Sequence, residues 1–340
     1  MTNTKILTIA IPTFNGASVL EINISHLIQI INKNNLGGEV NIIVSINAST
    51  DNSLEICKQY VNFDNFSFYM QNENVGYYTN VNSVVVNSIT PYVWLLSDDE
   101  LITEKGLLNV LALLKSNHPS YIFVNHSNTS LKKNANVGYK IYDDKKMFID
   151  EMKFSCGLIS SNIVSKSYWT EWKIEKYIGS YWIHMGYIIE LLNHSPENYV
   201  LVFDVDYIDR TILNNGRVWG TNGTFLNVGL SLVDMIVHNL DGNNRAGLYW
   251  GRKIIAGGYP YSILLARYSG LKLNSEVKAK IRNATLYNLP KYYFFVLPAV
   301  IIPDFLLRIF VDVHRLVKNY LKIAVQIFHK KTVGLHENLE

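Results

Sequence analysis

Four short, almost unbroken apolar runs pattern the first hundred residues: ILTIAIP (6–12), VNIIVSI (40–46), FSFYM (66–70) and YVWLL (92–96). Between them lie segments with apolar residues at helical spacing. SVLEINISHLIQIINK (18–33) is one, with Ser18 as its predicted N-cap, and Gly76–Ser88 is another. Strands without polar alternation need cover on both faces, so strands alternating with helices predict an α/β fold around a parallel sheet. The first, second and fourth runs end in the polar clusters PTFNG, NASTDNS and SDDE. Ligands of such sheets sit beyond the carboxyl ends of the strands, so these clusters should meet at one edge.

The last cluster is the most unusual. In VWLLSDDE (93–100) four bulky apolar residues run straight into Asp98, Asp99 and Glu100. Adjacent carboxylates at a buried strand end repel unless something compensates them. A hard divalent cation, Mg2+ or Mn2+, would do so by taking carboxylate, phosphate and water oxygens. The alternative is a solvated acidic turn that caps a helix starting near Thr103.

Further along, strands are predicted at Tyr121–Asn125, Lys140–Tyr142, Gly157–Val164 and Tyr199–Tyr207, and a helix after Ser180. From Asn222 to Leu286 the pattern is mainly helical. The predicted organisation is a catalytic domain over 1–220, a helical region over 221–289 and a basic amphipathic tail over 290–340. The 340 residues carry a formal net charge of only +3, which gives no footprint for nucleic acid. The excess is local: Leu289–Lys331 holds seven Lys/Arg against two Asp, whereas the charges before Leu289 cancel. After Pro303, polar residues recur at Asp304, Arg308, Asp312, Arg315, Asn319, Lys322, Gln326 and His329, one narrow stripe on an otherwise apolar helix. Such a helix packs on its own domain, on a partner, or in a membrane interface rich in anionic lipid. Two cysteines, Cys57 and Cys156, form no metal or disulfide pattern and fit a reducing compartment. The N-terminal segment reads as a first strand rather than a signal peptide.

Signatures of dinucleotide enzymes, P-loop enzymes, zincins and α/β-hydrolases are missing from the sequence. By contrast LTIAIPTFN (7–15), NIIVSINASTDNS (41–53) and NENVGYYTNVNSVVVNSITPYVWLLSDDE (72–100) resemble, in order and spacing, the family-2 inverting glycosyltransferases of the GT-A fold. The resemblance covers about the first 125 residues. Its LLSDDE form and long helical C-terminal half are similar to O-antigen and capsule sugar transferases such as abequosyltransferase-like enzymes. It implies a GT-A-type, doubly wound, mostly parallel sheet with a helical C-terminal region, and a nucleotide-sugar donor linked to UDP, dTDP, CDP or GDP.

It also implies roles. Pro12, Thr13, Phe14 and Asn15 form the turn that borders nucleobase and ribose; Asn47 and Asp51 hold the base; Asn74 and Gly76 shape the nucleotide floor. Asp98 reaches the ribose, and Asp99, with Asp98 or Glu100, holds the metal. Asn47 stands where the family carries an acid, as does Ser97. An inverting transfer needs a base for the acceptor hydroxyl. The matching stretch, Ile178–His184, has no acid, so His184 is the candidate base and Glu175 the alternative. Arg210 and Arg217 are candidate diphosphate clamps, and Trp182 and Trp219 candidate sugar-stacking or core rings. The expected acceptor is a lipid-linked glycan, reached from the cytoplasmic face of a bacterial membrane with the tail as peripheral anchor; homo-oligomerisation is left open. The competing readings are an inactive scaffold of the same fold and a sugar-nucleotide nucleotidyltransferase. The nucleotidyltransferase is disfavoured because PTFNGAS lacks a basic triphosphate-binding residue.

Overall fold

The computed structural model describes residues 5–126, 138–152, 157–180, 182–194, 198–204, 206–209, 259–285 and 289–314, with positions 226, 229–232, 235, 239 and 316. The chain divides into two compact units, Met1–Arg217 with Met235–Trp250, and Val218–Asp234 with Gly251–Glu340.

The first unit is built on strands β1 (Leu7–Thr13), β2 (Val40–Ile46), β3 (Phe66–Met70), β4 (Tyr92–Leu95), β5 (Leu101–Ile102), β6 (Tyr121–Val124), β7 (Tyr139–Tyr142), β8 (Asn162–Ser165), β9 (Tyr199–Val202) and β10 (Ile208–Asp209). Eight form one sheet in the order β3-β2-β1-β4-β8-β6-β9-β7, while β5 and β10 make a separate antiparallel pair. β3, β2, β1 and β4 are all parallel; β8 is antiparallel to both β4 and β6, and β7 is antiparallel to β9. Every residue of β1 and β2 is buried, which is why neither shows a polar alternation. Helix α1 (Ala17–Lys33) covers one face with Leu20, Ile24, Leu27 and Ile31, spaced three or four apart so that they share one side. Burying each such side chain stabilises by about 1.5–3 kcal/mol.

Helices α2 (Ser53–Lys58), α3 (Tyr77–Val86), α4 (Glu104–Asn117), α5 (Lys145–Met152), α6 (Lys166–Glu171) and α7 (Ile183–His194) complete the unit. The GT-A-type architecture expected from the sequence is therefore present, with local differences. Ser18 does not cap α1: the N-cap position is Gly16, and the Ala17 N–H donates instead to Asp51 Oδ2 at 2.8 Å. The predicted strand 199–207 stops at Val202 as β9, because Asp204 Oδ1 accepts from the Asp206 N–H at 3.0 Å and turns the chain; β10 begins only beyond the predicted span and pairs with β5. The first half of the predicted strand 157–164 is a helical turn, Ile159–Ser161. There Asn162 Nδ2 donates to the Leu158 and Ile159 carbonyls at 2.6 and 3.0 Å, a local bond that competes with strand pairing.

In the second unit, Tyr259–Tyr268 and Ser275–Thr285 are helical, followed by Leu289–Ile301 and Asp304–His314, which are bent by 111° at their junction. Ile263, Ala266, Ile281, Val296, Leu307 and Val311 form a common core. Among the described residues no single helix is long and apolar enough to cross a membrane, although the bent pair meets that test jointly. Of the polar stripe read from the sequence, Asp304, Arg308 and Asp312 are described, and the positions from Arg315 onward lie outside the described residues.

Gly106 on α4 lies under the loop that leads into β10. A Cβ there would meet the Tyr207 carbonyl oxygen at 2.7 Å and its Cα at 2.9 Å, backbone atoms that cannot swing aside. Gly106→Ala is expected to lower unfolding free energy by about 1–3 kcal/mol, read from the midpoint of a urea titration.

Candidate active site

The carboxyl ends of β1, β2 and β4 lie side by side, so the three polar clusters do meet at one edge. β1 outruns β4: their pairing ends at Ala10 and Leu95, and beyond it only β2 accompanies β1. Pro12 occupies this one-sided stretch, where a missing N–H is tolerated. The Asn47 N–H extends the ladder by donating to the Thr13 carbonyl at 2.9 Å.

Side chains then stitch the clusters together. Asn15 and Ala48 both hold left-handed backbone, with φ of 51° each. The Asn15 N–H donates to Ser49 Oγ at 3.0 Å, and Asn15 Oδ1 accepts from the Thr50 N–H at 2.9 Å. Asn47 is almost fully buried; its Nδ2 donates to Asn74 Oδ1 at 2.9 Å and its Oδ1 accepts from the Val75 N–H at 2.9 Å. Asn74 Oδ1 also accepts from the Gly76 N–H at 3.0 Å. Asn47 thus holds the Asn74–Gly76 turn. Gly76 itself is required by its φ of 80°, not by crowding. Asp51 takes the Ala17 N–H on one oxygen and the Ser53 N–H and hydroxyl on the other. Burial alone would raise its carboxyl, but the bonds from the Ser53 hydroxyl and the Ala17 and Ser53 amides outweigh it and hold the pKa below the ordinary value. Phe14 stays 45% exposed at the mouth of this edge.

The acidic knot is not a solvated helix cap. Thr103 caps α4, its Oγ1 accepting from the Gly106 N–H at 3.0 Å, and β5 separates it from the acids. Asp98 and Glu100 are buried, and Asp99 is half-buried. Thr13 Oγ1 donates to Asp98 Oδ2 at 2.6 Å, joining the ends of β1 and β4. Ser97 Oγ donates to Asp99 Oδ1 at 2.5 Å. The loop backbone is pinned from two sides. On one, Ser160 Oγ accepts from the Ser97 N–H at 2.9 Å and the Ser160 carbonyl accepts from Trp94 Nε1 at 2.8 Å. On the other, the wholly buried Asn23 of α1 spreads its amide over the carbonyls of Ser97, Asp98 and Glu100, at 3.3, 3.3 and 2.8 Å.

Three contributors escaped the sequence reading. Asn23 sits among the apolar residues of an amphipathic helix, and its only signal is being a polar residue on that helix's buried side. Gly16 provides room: a Cβ there would lie 2.2 Å from Thr13 Oγ1 and 2.4 Å from Asp98 Oδ2. Tyr77, half-buried at the start of α3, has its phenol raised by burial, then by Tyr78 and the charges of Asp98, Glu100 and Asp99, and so remains a neutral donor beside the acids.

His184 lies near the start of α7, only 3% exposed, with Nε2 donating to the Gly157 carbonyl at 3.1 Å and Nδ1 buried without a hydrogen-bond partner among the described residues. Burial pushes its pKa down to about 4. Trp182 is half-buried, its ring centroid 5.8 Å from that of His184. Glu175 is exposed on a turn of 3-10 helix, Ile174–Tyr177. The buried acid of α7 is instead Glu190, which accepts from the Tyr177 hydroxyl and pairs with Lys176 at 2.8 Å and His194 at 3.2 Å. Arg210, Arg217 and Trp219 lie outside the described residues.

This edge lies on a GT-A-type sheet. Residues 8–167, just under half of the chain, match the family described as Glycosyl transferase family 2. No curated protein matches the chain in sequence. Among solved structures, it is similar to S. aureus TarS 1-349 in complex with UDP, at 13% identity and a TM-score of 0.63, covering 86% of each chain. The same TarS fragment in complex with UDP-GlcNAc aligns at 15% identity and a TM-score of 0.59 over 82% of this chain and 79% of that one. The mannosyltransferase PcManGT from Pyrobaculum calidifontis, in complex with GDP-Man and Mn2+, aligns at 12% identity and a TM-score of 0.54 over 88% and 85%. At these identities the likeness establishes the fold.

Two outcomes test the site. Asn23→Ala strands the carbonyls of the acidic loop and should cost about 1–3 kcal/mol of stability, measured by chemical denaturation. The second concerns His184, whose folded pKa of about 4 lies below its ordinary 6.5, so its protonation favours unfolding. Stability from this group should be complete above pH 6.5 and fall by about 3 kcal/mol as pH drops through 4. His184→Phe should flatten that part of the pH–stability curve.

Proposed function

We propose that the chain is an inverting glycosyltransferase that moves a hexosyl or deoxyhexosyl group from a nucleotide sugar to a lipid-linked surface glycan, of O-antigen or capsule type. The observation that carries this reading is the convergence of PTFN, NASTDNS, NENVG and SDDE on one sheet edge, knit by the Thr13–Asp98, Asn15–Ser49 and Asn47–Asn74 bonds. The family match over residues 8–167 supports it, as do the nucleotide sugars bound by structures of the same fold.

Exposed Phe14 offers a flat face to the nucleobase, and Asp98, oriented by Thr13, reaches toward the ribose. Among the described residues no three His, Cys, Asp or Glu side chains form a metal cage. One half-exposed carboxylate, Asp99, with Asp98 and Glu100 beside it, suits Mg2+ or Mn2+ held by one or two carboxylates and completed by diphosphate oxygens and water. Such an ion, when bound, would neutralise charge on the departing diphosphate. The acceptor hydroxyl oxygen attacks the anomeric carbon as the bond to the diphosphate breaks on the opposite face, and its proton passes to a base. His184 is the candidate: it is neutral at pH 7 and Nδ1 is its remaining acceptor, though a pKa near 4 makes it a weak one. Arg210 and Arg217 are proposed to clamp the diphosphate, and Trp182 and Trp219 to stack against the acceptor sugar. The basic tail is proposed to keep the enzyme on the cytoplasmic face of the membrane.

The test is a panel of UDP-, dTDP-, CDP- and GDP-sugars with Mn2+ or Mg2+, scored for binding and for sugar release or transfer. One nucleotide class should bind, and Asp99→Asn should reduce turnover at least about 100-fold. Binding of none would remove the proposal. A scaffold of the same fold would show no turnover for Asp99→Asn to reduce.

A further inference from the structure

The second unit exposes what a protein in water usually hides. On Leu289–Ile301 and Asp304–His314, Phe294, Phe295, Ile301, Phe305, Ile309 and Phe310 are each more than half exposed. On the second helix the inward turn positions Leu307 and Val311 are buried, so its apolar side chains point both into the core and away from it. A contiguous exposed patch of this kind marks an interaction surface.

The same helix pair walls a cavity of about 460 Å3 of mixed character, its charged lining made by Arg267, Lys272, Lys278, Asp304 and Arg308. One of these cations is already committed. Arg267 donates to the carbonyls of Ala299, Val300 and Ile302 at 3.0, 3.2 and 2.7 Å, satisfying the end of the first helix, and to Asp304 Oδ1 at 2.6 Å. It therefore both holds the 111° bend and neutralises the one acid lining the cavity. The other nearby acids are also engaged: Asp312 accepts from the Tyr268 hydroxyl at 2.8 Å, and Glu276 pairs with Lys280 at 2.9 Å. Lys272, Lys278 and Arg308 make no ion pair with the described residues, so three positive charges face a cavity whose own acid is taken.

We propose that this cavity binds the phosphate headgroup of an anionic phospholipid while the apolar face of the bent helix pair enters the adjoining layer of the bilayer. Cationic charge at a cavity roomy enough for a phosphate-bearing headgroup and uncovered aromatic and aliphatic side chains on one helix pair are the two halves of an amphiphile's complement. A protein partner would account for the apolar face but not for the three cations; a soluble phosphate would account for the cations but not for the face. The site gives residue identities to the membrane attachment in the proposed function and rests on that part of it.

Flotation of the full chain with vesicles tests it. Vesicles containing phosphatidylglycerol should capture the protein far better than phosphatidylcholine alone, with capture falling as salt rises. Lys272→Gln, Lys278→Gln and Arg308→Gln combined should weaken partitioning into the anionic vesicles on the order of 100-fold, at about fivefold per charge. Phe305→Ser with Ile309→Ser should weaken it through the apolar half. The melting temperature and nucleotide-sugar binding of each variant are measured on the same preparation, and the single substitutions replace any combination that fails to fold. Equal capture by both vesicle types, or undiminished capture of the triple variant, overturns the proposal. Calorimetric binding of inorganic phosphate that the triple variant loses, without vesicle capture, would assign the cavity to soluble phosphate and overturn it too. Nucleotide-sugar binding that survives while capture fails would leave the transferase reading standing.

Discussion

Two carboxylates buried at the end of a strand are the constraint around which the first unit is arranged. Asp98 and Glu100 lie inside the protein, where an uncompensated charge is costly. Neighbouring elements answer one of them directly and hold the loop that carries both. Thr13 brings a hydroxyl from β1, Ser160 fixes the backbone from the turn before β8, and Asn23 reaches from α1 to three successive parts of the loop. Gly16 keeps open the space in which Thr13 and Asp98 meet. A loop held this way presents Asp99 in a single place while leaving it partly open to solvent, as its proposed role toward a metal requires.

The amides of the site divide the same labour. Asn15 and Asn47, both in turns that join strand ends, spend their hydrogen bonds on neighbouring loops: Asn15 on Ser49 and Thr50, Asn47 on Asn74 and Val75. Asp51 does so for the starts of α1 and α2. Much of the polar character that marks these motifs in sequence thus goes into building the candidate edge, and Phe14 is left exposed at its mouth. His184 differs from all of them. Its bond to Gly157 ties it to the interior of the unit, and its burial depresses its basicity against the opposing effect of that bond.

The second unit inverts the usual ordering of surfaces. Leu307 and Val311 fill a small core, yet Phe294, Phe305 and Ile309 are exposed, and the cavity's Lys272, Lys278 and Arg308 make no ion pair among the described residues. Such a surface suits the anionic bilayer proposed above better than it suits water.

How much could be read in advance depended on whether a feature is local. Continuous apolar runs required a covered parallel sheet, and the polar clusters ending them placed a ligand edge at the carboxyl ends of β1, β2 and β4; pattern and connection rules suffice for both. Ending β9 at Val202 rather than Tyr207 depended on one turn at Asp204, and the 159–161 turn on one side chain, Asn162, competing with strand pairing. That Asn23 would clamp the acidic loop, that Asp51 rather than Ser18 would cap α1, and that Thr103 would relieve the acids of capping α4 were beyond any window of sequence. Hydrogen bonds between residues tens of positions apart leave no period in the chain. The sequence alone determined that an acidic strand end must be compensated; only the tertiary structure decided which distant donors do it, because burial and distance exist only once the chain has closed on itself.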